Sequence, residues 1–194
     1  MELAMDSLKD KFEFRVRWEP FLLRPETPPE GLPKPKEYMN VNNPRFQYLR
    51  EAGKEIGLDF SRTSERFPST IKAHALLELA KEKDNGVKQN DVAEALFKKY
   101  FLEGDLLQDD TVLHVAKEMG FEETEVKNYI ENANNLKTVV SKASAWSQKG
   151  ISGVPTFYMN GQKIFSGGQD VSVFIRMFEI AAEKFPLTSP ESKN

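Results

Sequence analysis

Apolar and polar positions change rhythm several times along this chain, and each change predicts an element. Leu3, Ala4, Leu8 and Phe12 recur at helical spacing, after which Phe12, Phe14, Val16 and Trp18 alternate with Glu13, Arg15 and Arg17. Side chains repeat about every 3.6 residues on a helix and every two on a strand, so a helix over 2–12 and a strand over 12–18 are expected. No Ser, Thr, Asp or Asn precedes the first helical turn to accept from its open N–H groups. The expectation is that Met1 falls inside a longer pattern.

Six of the eleven prolines lie between Pro20 and Pro35. Proline offers no N–H and breaks helix interiors, so this stretch predicts an extended surface connection, in preference to a peptide-recognition segment. From Pro44 to about Lys149 the rhythm is helical. PRFQYLREAGKEIGL stops at Gly57, STIKAHALLELAKEKDNG has Ser69 as cap and Gly86 beyond its end, and NLKTVVSKASAWSQKG closes at Gly150. With NDVAEALFKKYFLEG, DDTVLHVAKEMG and TEVKNYIENAN, five or six helices are expected, enough for a helical subdomain. Two short strands follow, Thr156 to Met159 and Lys163 to Ser166, joined at Asn160-Gly161. Val171, Phe174, Ile175, Phe178 and Ala182 then share one face of a helix, and 186–194 reads as a polar tail.

Composition narrows the function. A chain of 194 residues suits one domain, and a net charge of −3 supplies no field for nucleic acid or anionic lipid. No run approaches the roughly 20 apolar residues of a membrane span, and the start lacks the apolar core of a signal peptide. A cytoplasmic protein with no nucleic-acid and no membrane partner is expected, and a homodimer stays open. Cysteine is absent, which excludes a disulfide, a thiolate nucleophile and Cys-ligated metal within this chain.

Candidate chemistry is sparse. His74 and His114 are the only histidines. No zinc spacing, phosphate loop, dinucleotide fingerprint or nucleophile elbow occurs, so no metal and no cofactor are expected. His114 is expected to pack or face solvent. Phe97, Tyr100 and Phe101, at helical spacing, are expected in the core, as are Trp18 and Trp146, and Lys81-Glu82-Lys83-Asp84 reads as a solvated face.

The order helix, strand, helical insert, strand, hairpin, strand and helix resembles a thioredoxin fold interrupted by the helical insertion of DsbA-type proteins. Gly153-Val154-Pro155-Thr156-Phe157, Ser166-Gly167-Gly168-Gln169, the run WEPFLLRPETPPEG, Thr70, Ala73 and His74 in STIKAHAL, and LFKKYFLEGDLLQD resemble the FrnE-like branch of that family. The resemblance implies an α/β thioredoxin-like domain with a large all-helical insertion: the fold proper over 1–35 and 150–185, the insertion over 36–149. It implies a cis Val154–Pro155 bond, and substrate contacts at Val154, Pro155 and Thr156, with His74 bordering the site. The ligand would be a thiol or disulfide peptide, or a glutathione-like molecule.

Family members carry a Cys-x-x-Cys at the start of their first helix, after a central strand, and this sequence shows neither. A helix N-terminus lowers a thiol's pKa, and without a thiolate no mixed disulfide forms. The resemblance therefore implies an oxidoreductase family member that is redox-inactive as this chain, missing the first central strand and the start of the active-site helix. Two other readings stay open: a glutathione-dependent isomerase or transferase of the kind related to 2-hydroxychromene-2-carboxylate isomerase and the kappa-class glutathione transferases, and a non-catalytic binding module or fragment.

Overall fold

The computed structural model describes residues 1–40, 42–61 and 64–187, and these form two compact units. One unit joins the two ends of the chain, Met1–Val16 and Trp146 onward; the other is Arg17–Ala145. Residues 17–35, grouped from sequence with the ends, belong to the helical unit. Of the expected polar tail, 188–194 lie outside the described residues.

In the first unit, α1 (Glu2–Ser7) stops short of Phe12. Ser7 turns its hydroxyl back onto the Ala4 carbonyl at 2.8 Å, and single turns through Leu8 carry the chain on to Phe12. β3 (Thr156–Met159) and β4 (Gln162–Ser166) form an antiparallel hairpin. Asn160 and Gly161 both have positive φ, 48° and 80°, and this pair of angles gives the turn a twist that matches its strands. Ile164 is the extra residue of a bulge, since Phe157 faces Phe165 while Tyr158 faces Lys163. α9 (Val171–Lys184) packs on α1 and turns Phe174 and Ala181 inward, whereas Val171 is exposed. The core here is largely aromatic: Phe157, Phe165 and Phe174 lie mutually 5.0–5.2 Å apart, and Phe14 meets Phe178 at 4.8 Å.

The second unit holds the larger core. β1 (Leu32–Pro33) pairs with β2 (Arg66–Phe67), and α2 (Lys36–Met39) and α3 (Pro44–Glu55) lie in sequence between them. α4 (Ile71–Glu82), α5 (Gln89–Phe97), α6 (Asp109–Glu118) and α7 (Glu123–Glu131) bury Leu76, Val92, Val112, Val115, Val126 and Ile130 almost completely. Each such side chain contributes about 1.5–3 kcal/mol on burial. α8 (Ala133–Gln148) adds Val139 to that core. A π-helical turn, Lys98–Glu103, continues α5. No helix among the described residues is long and apolar enough to cross a membrane.

Three expectations need correction. Residues 12–16 keep their alternation, with Phe12, Phe14 and Val16 half-buried between exposed Glu13 and Arg15, yet 12–18 forms no strand. Alternation assigns faces, but a strand also needs a ladder partner. At Trp18 that place is taken by the buried side chain of Gln89. The N-cap of α4 is Thr70, not Ser69, and Thr70 caps without its side chain. Trp18 and Trp146 are half-buried rather than core. Glu82 and Lys83 are exposed, as expected, and the run is paired at the surface: Lys81 meets Glu19, the Tyr129 hydroxyl donates to Glu82 at 3.3 Å, and Lys83 meets Glu125 at 2.6 Å.

Candidate substrate-contact site

Val154, Pro155 and Thr156 stand together where the chain enters β3. The Val154–Pro155 peptide bond is cis. The residues on either side of Val154 are tied down. The Thr156 hydroxyl donates to the Gly153 carbonyl at 2.9 Å, and since a hydroxyl has one proton, the Ser166 hydroxyl is the donor in its 2.8 Å contact with Thr156. The Gly167 N–H donates to the Pro155 carbonyl at 2.8 Å. The hairpin therefore closes around Pro155 and fixes both flanking carbonyls.

Val154 itself is left open. It is 51% exposed, and its N–H and C=O have no hydrogen-bond partner among the described residues. One free donor and one free acceptor on an exposed residue at a strand entry can pair with the main chain of an extended segment. Close to the hairpin, Trp146 meets Tyr158 at 5.1 Å and carries Lys149 over its ring at 4.5 Å.

His74 lies in the other unit, on the first turn of α4. Its ring Nδ1 is 2.7 Å from the Thr70 carbonyl, which also accepts the His74 N–H at 2.9 Å. Burial pulls its pKa below the ordinary value of 6.5, against the Thr70 bond and the Glu78 charge, which favour the cation. The ring is therefore neutral at pH 7, with Nδ1–H donating to Thr70. His114 is exposed and lies 3.3 Å from Glu118.

The aromatics expected in the core divide. Phe97 and Phe101 are 46% and 49% exposed, while Tyr100 is half-buried. Tyr100, four residues after Leu96, falls on the face that α5 buries with Val92 and Leu96, whereas Phe97 and Phe101, themselves four apart, share the uncovered face.

Sequence reasoning passed over Glu78. It is buried on α4 with Lys142 on Oε2 and Lys81 at 3.6 Å from Oε1, and Oε1 lacks a hydrogen bond among the described residues. Burial works against the Lys142 charge, yet the bond and charge of Glu78, with Glu19 and Glu82, outweigh it and hold its pKa above the ordinary value. The available signal was an acidic residue inside the run AHALLELA, which is apolar but for His74.

A family model described as DSBA-like thioredoxin domain matches residues 1–178. A crystal structure of a probable DsbA oxidoreductase from Streptomyces coelicolor superposes with a TM-score of 0.68 at 22% identity, covering 98% of this chain and 86% of that one. At this identity the likeness is one of fold: a DsbA-like thioredoxin fold, mostly helical. No curated protein matches the chain.

Proposed function

We propose, for a chain that belongs to the DSBA-like thioredoxin domain family, that it holds an extended thiol- or disulfide-bearing peptide at Val154, Pro155 and Thr156 and performs no thiol exchange as these 194 residues. The open main chain of Val154, between carbonyls already engaged, carries the binding half of this reading. A peptide laid alongside would donate to its C=O and accept from its N–H, while Thr156 and Ser166 hold the loop in shape.

The inactive half rests on chemistry. Thiol–disulfide exchange begins with attack by a thiolate and passes through a mixed disulfide, and this chain contains no cysteine. A finer placement, in the FrnE-like branch, is supported by the run from Gly153 to Gln169 and by WEPFLLRPETPPEG.

Two measurements test the proposal. In an insulin-reduction assay with dithiothreitol, the chain is expected to leave the rate at the blank value; a clear acceleration overturns the inactivity. In an amide-resolved NMR titration with an oxidised cystine peptide, saturable shifts are expected at Gly153, Val154 and Thr156. Shifts absent there, or present only with oxidised glutathione, sink the peptide reading, and the second result favours the glutathione-dependent one.

A further inference from the structure

The proline-rich stretch builds a frame on β1 and β2. The Lys34 N–H donates to the Glu65 carbonyl at 2.8 Å, extending that ladder by one bond. Arg66 donates from Nε to the Glu30 carbonyl at 2.9 Å and from Nη2 to the Gly31 carbonyl at 2.7 Å. Gly31, at φ +79°, passes so close that a Cβ there would lie 2.5 Å from the Phe67 carbonyl oxygen. The backbone that bears Lys34 is thereby held against Phe67.

On this frame two cations converge on one ring. The Arg24 Cζ lies 3.7 Å from the centroid of Phe67, while the Lys34 Nζ lies 5.5 Å from that centroid and 5.3 Å from that of Tyr100. Neither cation has a carboxylate partner among the described residues. Burial, and then the neighbouring Arg24, hold the Lys34 pKa below its ordinary value. Tyr38 also packs on Phe67, the two rings nearly perpendicular with centroids 5.1 Å apart.

Two like charges held near each other, one of them partly desolvated, repel; a counter-charge between them removes that repulsion. A guanidinium stacked over a ring keeps its in-plane N–H groups free, and that fork matches the two oxygens of a carboxylate or phosphate. Lys34 adds a point charge, and the rings supply a flat apolar wall. We propose that Arg24 and Lys34, backed by Phe67 and Tyr100, form a binding site for a small oxyanion, a carboxylate or phosphate group. The site needs no thiol chemistry and does not use Val154.

The 194-residue chain is titrated with inorganic phosphate and, separately, with acetate, at ionic strength held constant with sodium chloride, while its amide spectrum is followed. Saturable shifts are expected at Gly31, Leu32, Lys34, Arg66 and Phe67 with at least one probe, and the stronger probe identifies the oxyanion. Arg24→Gln and Lys34→Gln each weaken binding about tenfold, with the remaining spectrum unchanged, and Arg24→Lys recovers part of the loss. Shifts that do not saturate, that spread over the surface lysines, or that persist in both glutamine variants overturn the site.

Discussion

The side-chain amide of Gln89 hydrogen-bonds the backbone of Trp18 twice, accepting from its N–H at 3.0 Å and donating to its carbonyl at 2.9 Å. It donates a further bond to the Leu77 carbonyl at 3.1 Å and is fully buried. One side chain thus does for Trp18 what a neighbouring strand does in a sheet. It also joins the extended segment to α4 and α5.

Replacing it tests that role. Gln89→Leu keeps the volume but orphans the Trp18 N–H and carbonyl, at about 1–3 kcal/mol for each group, while the Leu77 carbonyl keeps its bond within α4. A loss of about 2–4 kcal/mol is expected in urea unfolding with an unchanged slope. A loss below about 1 kcal/mol would mean that water replaces the amide.

Glu78 and Lys142 form the second test. Lys142→Met leaves a buried carboxylate with only Lys81 at 3.6 Å, and a loss of about 2–4 kcal/mol is expected, below a full buried-pair loss because Lys81 remains. Adding Glu78→Gln removes the unpaired charge and should restore much of that stability. A double-mutant cycle checks it; additive losses would show that the two residues do not couple.

His74 predicts a pH dependence. Its pKa is lower in the folded state than the ordinary 6.5, so the unfolded chain binds the proton more readily. The stability from this group is complete above pH 6.5 and is lost as pH falls through the lowered folded value. His74→Gln should flatten the melting temperature over that interval, and an unchanged slope would count against a neutral, buried ring.

Tyr129 sets the alkaline counterpart. Burial, then the charge and hydrogen bond of Glu82, push its pKa from 10.0 up to about 12. Stability from this phenol is complete below pH 10 and falls as pH rises towards 12. In a spectroscopic tyrosinate titration, Tyr129→Phe should remove a component near 12; its survival in the variant would assign it elsewhere.

Much of this was legible from local pattern. The β3–β4 hairpin follows from Asn160-Gly161 between alternating residues, and α4, α6 and α9 follow from periodicity, since turn chemistry and helical faces are written in neighbouring positions. Val154, Pro155 and Thr156 came from the resemblance to DsbA-type proteins, since a proline at a strand entry is by itself ordinary. The exposure of Phe97 and Phe101 was not legible, because spacing shows that two residues share a helix face but not whether another element covers it.

The sequence by itself determined where helices and turns fall, which residues alternate over 12–18, and that no thiol chemistry is available within these residues. Only the tertiary structure decided that this alternation makes no strand, that Gln89 satisfies Trp18, and that Arg24 and Lys34 meet over Phe67. The division has a physical cause. Local preferences act between residues a few positions apart, whereas the partners of Trp18 and Phe67 lie tens of residues away and are selected by packing.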